Sequence, residues 1–283
     1  MSKLDVERIR SRVRLALEED IGKGDITTAL AVEESALVIG VLIAKQEGVL
    51  AGNPVAELVF KTVDPDVAYD SRLKDGTDLS YGSIVAHISG KAKSCLVAER
   101  VALNFLQRLS GIATLTREYV KRVQNTGARI LDTRKTTPGL RYLEKYAVKV
   151  GGGENHRFSL DELILIKDNH IRAAGGVRQA LRRVKDGNTN LLVEVEAKTL
   201  TEVQEAIEAG ADRIMLDNMG VQMIQEAVQL VAGTVELEAS GKVSLENVRA
   251  IAETGVQYIS IGAITHSAPA LDMSFEVQKV EHL

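Results

Sequence analysis

The sequence is poor in several residue types, and each shortage excludes a class of protein. Tryptophan is absent and aromatic residues make up 4% of the 283 residues, so stacking platforms for single-stranded nucleic acid are not expected. The 35 lysines and arginines are outnumbered by 39 aspartates and glutamates, which leaves no basic excess for binding nucleic acid or a membrane surface. The single cysteine, Cys95, cannot form an internal disulfide or a cysteine-based metal site.

Long apolar runs and targeting features are also missing. No uncharged apolar run approaches the roughly 20 residues that span a bilayer, and residues 1–8 lack the charged-then-apolar layout of a signal peptide. The hydrophobic fraction of 45% and charged fraction of 26% are those of a globular chain with one large or two moderate domains. We therefore expect a cytoplasmic protein with neither a nucleic-acid nor a membrane partner.

The second half of the chain repeats one unit, a short apolar run followed by a polar loop and a helical pattern. The apolar runs are rich in valine, isoleucine and leucine, which is typical of buried parallel strands. Seven runs are predicted as strands: Ala128–Leu131, Ala147–Val150, Leu163–Ile166, Leu191–Val195, Arg213–Leu216, Val235–Glu238 and Tyr258–Ile261.

Two of the intervening helices are well marked, at Leu200–Gly210 and Ser244–Gly255, and each ends at a glycine. Regular alternation of strands and helices predicts a parallel sheet. Seven such units in so short a segment predict a TIM-like α/β barrel with seven strands, smaller than the typical eightfold barrel of about 250 residues.

The first half lacks this repeat. An amphipathic helix with Val6, Ile9, Val13 and Leu17 on one side opens the chain. Further strands and helices are predicted at Leu37–Ala44, Val55–Thr62, Val67–Leu73, Ile84–Ile88 and Leu96–Leu109, and the tail Met273–Val280 alternates like a strand. Strands with segregated helices indicate an α+β sandwich. The predicted organisation is an α/β protein with a sandwich domain at 1–111, to which a strand at 270–283 returns, and a barrel domain at 112–269.

The loops after the barrel strands carry the candidate chemistry, because the active sites of parallel barrels lie at the carboxyl ends of their strands. The first three ends are cationic and contribute Arg134, Lys135, Arg157 and Lys167. Arginine matches a carboxylate or phosphate in bidentate fashion and lysine adds a compact charge, so the set suits a polyanionic ligand. Lys167 ends an apolar strand, where it could instead be a Schiff-base nucleophile.

The next strand ends are acidic and then rich in small residues. Glu196 and Asp217 could be salt-bridge partners of the cations, or could hold ribose hydroxyls or a hard metal ion such as Mg²⁺. Ser240, Gly241 and Gly262 favour a phosphate held by backbone N–H groups. The histidines of these loops, His156, His170 and His266, have no metal-ligand spacing.

The motifs at these strand ends closely resemble those of the quinolinate phosphoribosyltransferase family. The resemblance covers essentially the whole chain, in order. It rests on Asp20–Thr28, Glu99–Arg100, Asp132–Gly139, Gly151–Arg157, Leu165–His170, Glu194–Glu196, Leu216–Asn218, Glu238–Gly241 and Gly262–His266. One departure is Lys242, where the family often has a second glycine after Ser-Gly.

The resemblance implies an enzyme of NAD biosynthesis that works at least as a dimer. Its reaction converts quinolinate and phosphoribosyl pyrophosphate, with Mg²⁺, into nicotinate mononucleotide, pyrophosphate and carbon dioxide. Lys135, Lys167, Glu196 and Asp217 are implied as catalytic, with the two carboxylates holding the ribose and its metal, partly through the substrate. The implied substrate-binding set is Arg100 (from the neighbouring subunit), Thr133, Arg134, Lys135, His156, Arg157, Lys167, Glu196, Asp217, Ser240, Gly241, Gly262 and His266.

Two other functions are compatible with the same residues. An aldolase-type enzyme would form a Schiff base on Lys167, and a non-catalytic relative would keep the barrel only to bind an oxyanion. Arg100 is also open to two interpretations, because it lies on the polar face of a helix with Asn104 and Gln107 and could be a solvated surface residue.

Overall fold

The structure is a computed structural model that describes residues 4–187 and 190–282. The chain forms two compact units, one built from residues 1–117, 136–152 and 264–283 and the other from 118–135 and 153–263. No helix of the described residues combines the length and the apolar composition needed to cross a membrane.

The elements follow in chain order. The elements up to the long central helix are α1 (Val6–Ile21), α2 (Ile26–Ala31), β1 (Ala36–Ala44), β2 (Gly48–Val49), α3 (Asn53–Val63), β3 (Ala68–Ser71), β4 (Asp78–Leu79), β5 (Ile84–Lys91) and α4 (Ala92–Arg122). They are followed by β6 (Arg129–Leu131), α5 (Arg141–Gly151), β7 (Ile164–Ile166), α6 (Asp168–Ala174), α7 (Val177–Asp186), β8 (Val193–Ala197) and α8 (Leu200–Glu208). The chain ends with β9 (Arg213–Asp217), α9 (Val221–Val231), β10 (Glu236–Ser240), α10 (Val248–Ala252), β11 (Tyr258–Ser260), α11 (Ala263–His266) and β12 (Met273–His282).

The first unit contains an antiparallel sheet with strand order β12-β1-β5-β3. The predicted return of the tail is confirmed, because β12 pairs with β1 along its whole length, from Met273 opposite Ala44 to His282 opposite Ala36. A small second sheet pairs β2 with β4. The opening helix α1 is also confirmed: the Asp5 side chain caps it by accepting the N–H of Arg8, and its apolar side is buried.

Helix α4 is longer than predicted, since it continues through Ser110 and Gly111 instead of ending there. A side chain at Gly111 would place its Cβ 1.9 Å from the carbonyl oxygen of Pro269, so this glycine permits close backbone packing rather than a helix end. Ser110 is fully buried and accepts the N–H of Ala51. Two residues that usually signal a helix end are therefore used here for packing.

The second unit contains a parallel sheet of six strands in the order β6-β11-β10-β9-β8-β7. This arrangement confirms the α/β class and the TIM-like barrel, but the sheet of the described residues has six strands where seven were predicted. A single parallel bridge joins Leu131 on β6 to Glu154, on the side of β6 away from β11. The strands β8, β9 and β10 are neighbours in register, so Ser240 lies opposite Asp217 and Ala197 opposite Leu216.

The strand predicted at Ala147–Val150 is wrong, because these residues belong to helix α5 of the first unit. A four-residue apolar run fits either periodicity, and here Leu143, Ala147 and Val150 share one buried helical face at spacings of four and three. The domain boundary drawn at 111/112 falls within α4, and residues 136–152, which the sequence assigned to the barrel, belong to the first unit.

Candidate active site

The carboxyl ends of the parallel strands enclose a cleft of about 310 Å³ in the second unit. Side chains two apart on a strand share a face, so Glu194 and Glu196 on β8, and Arg213 and Asp217 on β9, point to the same side of the sheet. The cleft is lined by Thr133, Arg134, Lys135, His156, Arg157, Leu165, Lys167, Glu196, Met215, Asp217, Asn218, Ser240, Gly241, Lys242 and Ser260.

The structure brings the four predicted cations together in this cleft. Arg157 is half-buried, and its pKa is lowered first by burial and then by the neighbouring charge of Arg134. Its Nη1 donates to the carbonyl oxygen of Leu163 at 2.8 Å, which fixes the direction of the guanidinium. Two arginines this close repel each other unless an anion lies between them, so the arrangement favours an anionic ligand.

Two carboxylates lie in the same cleft and are each flanked by an ammonium group. Lys167 Nζ is 4.0 Å from Glu196 Oε2, and Lys198 Nζ is 3.8 Å from Asp217 Oδ2. The pKa of Glu196 is raised, chiefly by burial; Lys167 opposes the shift and Asp217 adds to it. Asn218 Nδ2 donates to Asp217 Oδ1 at 2.8 Å. Paired carboxylate oxygens of this kind suit a hard divalent cation.

The loop after β10 forms a third part of the cleft. The N–H of Asn218 donates to the carbonyl of Ser240 at 2.8 Å, which brings the ends of β9 and β10 together. Gly241 has φ +90°, and a Cβ there would lie 2.4 Å from the side-chain oxygen of Asn218, so only glycine fits. Lys242 lines the cleft and also has a positive φ, of 51°. The departure from the family pattern at this position thus adds a cation to the cleft.

His156 lines the cleft, but both nitrogens of its ring contact protein groups. Its side chain is 6% exposed, Nδ1 accepts the N–H of Arg157 at 2.7 Å, and Nε2 lies 3.1 Å from Glu194 Oε2. Since Nδ1 accepts a hydrogen bond, the ring proton is on Nε2, which donates a hydrogen bond to the Glu194 side chain. His156, Glu194 and Glu238 could place ligand atoms within 4.8 Å of one another. A metal-binding histidine instead donates its second ring N–H, so this tautomer does not favour a metal there.

Three predicted site residues lie outside the set that lines the cleft: Arg100, Gly262 and His266. Gly262 follows β11 in the second unit. Arg100 and His266 belong to the first unit, where Arg100 is exposed on α4 and His266 Nδ1 is hydrogen-bonded to Ser267 Oγ at 2.6 Å.

Sequence reasoning missed Lys198 and Asn218. Lys198 comes directly after β8, two residues beyond Glu196, and Asn218 directly after Asp217. A search of every residue that follows a barrel strand would have found Lys198, whereas Asn218 already stood in the motif Leu216–Asn218 but was given no role.

Comparisons with known proteins agree with this geometry. Residues 112–276 match the family model described as quinolinate phosphoribosyl transferase, C-terminal domain, and residues 25–110 match its N-terminal domain. The chain is 44% identical over 289 residues to quinolinate phosphoribosyltransferase (decarboxylating) 1b of Nicotiana tabacum, an alignment that covers 95% of this chain and 82% of the relative. It is 44% identical over 260 residues to a probable nicotinate-nucleotide pyrophosphorylase of Bacillus subtilis, with 92% and 90% covered. The crystal structure of NadC from Streptococcus pyogenes superposes with a TM-score of 0.95 at 40% identity, with all of both chains covered.

Proposed function

Because the chain belongs to the quinolinate phosphoribosyltransferase family, we propose that it transfers the phosphoribosyl group of phosphoribosyl pyrophosphate to quinolinate. The pyridine nitrogen attacks the anomeric carbon, the bond to the pyrophosphate oxygen breaks, and loss of the 2-carboxylate as carbon dioxide then leaves an electron pair that takes up a proton from water. The products are nicotinate mononucleotide, pyrophosphate and carbon dioxide. The observation that carries the proposal is a single cleft in which five cationic side chains surround two carboxylates.

The residues of the cleft suit this chemistry. A pyridine nitrogen has a free lone pair and requires no general base, so alignment of two polyanions and stabilisation of the leaving group remain for the protein. In the proposal, Arg134, Arg157 and Lys167 hold the quinolinate carboxylates, and Lys135 with Lys167 faces the pyrophosphate. Thr133, Ser240 and Gly241 contact the phosphoribosyl group. Because both nitrogens of His156 are engaged by the protein, we assign it to holding Arg157 in place.

Magnesium fits the donor set of the cleft, since Glu196 and Asp217 offer neighbouring carboxylate oxygens and Mg²⁺ prefers oxygen ligands. We propose that these two residues hold Mg²⁺, partly through the substrate. When bound, the ion neutralises charge on the pyrophosphate that leaves. An aldolase-type reaction is not favoured, because the Lys167 ammonium faces Glu196 and a Schiff base requires the neutral amine.

The test supplies the purified protein with quinolinate, phosphoribosyl pyrophosphate and Mg²⁺, and follows nicotinate mononucleotide by chromatography. We expect product, its loss on chelation with EDTA, and its return with added Mg²⁺. Nicotinate serves as the control acid. Its single carboxylate leaves a cation unpaired, at a cost of about 1–3 kcal/mol, or roughly five- to 150-fold in kcat/KM. Equal turnover of both acids, or no product from quinolinate, would contradict the proposal.

We further propose that the enzyme works as a dimer in which Arg100 completes the neighbour's site. Support comes from α4, where Arg100 and Asn104 are exposed while Val101 and Phe105 on the other side are buried. Arg100→Ala subunits mixed with Lys167→Ala subunits, each inactive alone, should regain activity, because a mixed dimer has one intact site. If subunit exchange occurs and activity stays absent, Arg100 does not act on the neighbour. Gly262 and His266 as phosphate ligands, and the cytoplasmic location, stay predictions.

A further inference from the structure

Lys198 lies between Asp168 and the candidate metal ligand Asp217, and its backbone is fixed by hydrogen bonds. It follows β8 directly, and its backbone N–H donates to Glu202 Oε2 at 2.6 Å. The same glutamate and Thr199 form the capping box that starts α8. Because this cap holds the backbone, the Cα atom from which the Lys198 side chain extends has a fixed position.

The ammonium group of Lys198 joins the ends of three neighbouring strands. Its Nζ is 3.0 Å from Oδ2 of Asp168, which follows β7, and 3.8 Å from Oδ2 of Asp217, which ends β9. The pKa of Lys198 is raised, chiefly by the hydrogen bond to Asp168; burial opposes this as the second-largest effect, and the charges of Asp168, Asp217 and Glu196 add smaller increases. Asp168 is therefore the better acceptor and Asp217 the second one.

Asp217 is held at both of its oxygens. Asn218 donates to Oδ1 at 2.8 Å, and Lys198 faces Oδ2. Glu196, the other candidate metal ligand, faces Lys167 at 4.0 Å. Each carboxylate of the pair thus has one lysine next to it, which offsets the repulsion between two negative charges that share the cleft.

We propose that Lys198 is a positioning residue that holds Asp217 in the metal-free site and competes with a divalent cation for Asp217 Oδ2, with Asp168 as its alternative acceptor. The inference rests on the proposed function, in which Glu196 and Asp217 hold Mg²⁺. A divalent cation at Asp217 is repelled by the ammonium group 3.8 Å from the same oxygen. When the cation binds, Lys198 keeps its bond to Asp168 and leaves Asp217.

The test measures Mn²⁺ binding to the full-length protein without substrates, from the electron paramagnetic resonance signal of free Mn²⁺. Lys198→Met should bind Mn²⁺ about two- to fivefold more tightly, a modest effect because the lysine side chain is 46% exposed and screened by solvent. Asp168→Asn should bind it more weakly, since Lys198 then turns to Asp217. Lys198→Arg should restore the wild-type affinity, because the charge is kept.

Two controls separate this competition from a general change of charge. Lys242→Met removes an equal charge from the lining of the cleft at the end of β10, so a tightening equal to that of Lys198→Met would overturn the inference. The double variant Lys198→Met with Asp168→Asn should bind Mn²⁺ like Lys198→Met alone, because Asp168 acts through Lys198. A further weakening in the double variant would mean that Asp168 attracts the cation directly.

Activity measurements distinguish failure of this inference from failure of the proposed function. In Lys198→Met the Mg²⁺ concentration that gives half the maximal rate should fall by the same factor as the Mn²⁺ dissociation constant. An active wild type that binds no Mn²⁺, or a Lys198→Met variant with wild-type Mn²⁺ affinity, overturns the role of Lys198 and leaves the reaction in place. Absence of any nicotinate mononucleotide overturns the proposed function whatever the Mn²⁺ result.

Discussion

Glu194 and Glu196 lie two residues apart on the same face of β8, yet they have different surroundings. Glu194 is fully buried, bonded to His156 and close to the charge of Arg213. Glu196 lines the cleft, faces Lys167 and is partly accessible to solvent. Two residues along the same strand face therefore have different roles: Glu194 belongs to the barrel interior, whereas Glu196 can contact a ligand in the cleft.

The buried end of the barrel forms its own polar cluster. Arg213 on β9 pairs with Glu236 at 3.0 Å and approaches Glu238 at 3.8 Å, and its guanidinium stacks on the Tyr258 ring at 3.9 Å from the centroid. Glu194 and Glu238 are both inaccessible to solvent. Lysine and arginine side chains line the cleft, whereas Arg213 in the interior is paired with protein carboxylates.

The largest effect is expected from breaking the interior cluster. Arg213→Met keeps the length of the side chain but removes the cation near two buried glutamates, so at pH 9, where both glutamates are ionised, the free energy of unfolding should fall by about 3–5 kcal/mol. Urea unfolding followed by circular dichroism measures it. Arg182→Met, which removes an arginine that is 84% exposed and 3.9 Å from Asp186, is the control and should change stability by less than about 1 kcal/mol. Equal stabilities of the two variants would show that the interior cluster has no special role.

The second prediction concerns Glu196, the glutamate of the pair that lines the cleft. Glu196→Gln removes a charge in the cleft while keeping the shape, so kcat/KM for phosphoribosyl pyrophosphate should fall about a hundredfold with little change in unfolding free energy. Steady-state kinetics and urea unfolding are measured on the same preparation. Glu253→Gln, which changes an exposed glutamate paired with Arg249 outside the cleft lining, should keep its activity. Loss of stability without loss of activity would place Glu196 with the buried residues.

The smallest effect is a pH dependence of stability that comes from the buried glutamates. Burial raises the pKa of Glu194 to about 7. Burial, followed by the neighbouring charge of Glu194, raises the pKa of Glu238 to about 8. The folded state favours their protonated forms, so their contribution to stability is full below the unfolded pKa near 4.5 and is lost as the pH rises through 7 and 8. Between pH 7 and pH 9 the unfolding free energy should fall by about 2 kcal/mol.

A matched pair of variants assigns this slope. Glu238→Gln cannot ionise, so its loss of stability between pH 7 and pH 9 should be smaller than that of the wild type. Glu253→Gln, in which an exposed glutamate paired with Arg249 is changed, should keep the wild-type slope. If the Glu238 variant loses as much stability as the wild type, the buried carboxylates do not titrate in this range.

The strand ends and the barrel class were predictable because both depend on the local pattern of apolar and polar residues in the sequence. Apolar runs at a regular spacing placed β8, β9, β10 and β11 to within two residues at their starts, and the residues after them supplied most of the cleft. The periodicity failed at Ala147–Val150, where four apolar residues fit a helix as well as a strand. It also failed at Gly111, whose role depends on the remote carbonyl of Pro269.

The sequence by itself thus determined which residue types stand at the strand ends, since alternation along a strand and the polarity of its loop are properties of neighbouring residues. The tertiary structure decided what each of them faces. His156 directly precedes the cationic residue Arg157, yet its Nε2 is held by Glu194 on β8, and Lys198 bridges Asp168 and Asp217 from two other strands. These partners lie 19 to 38 residues away in the chain, so only the closing of the sheet brings them within bonding distance.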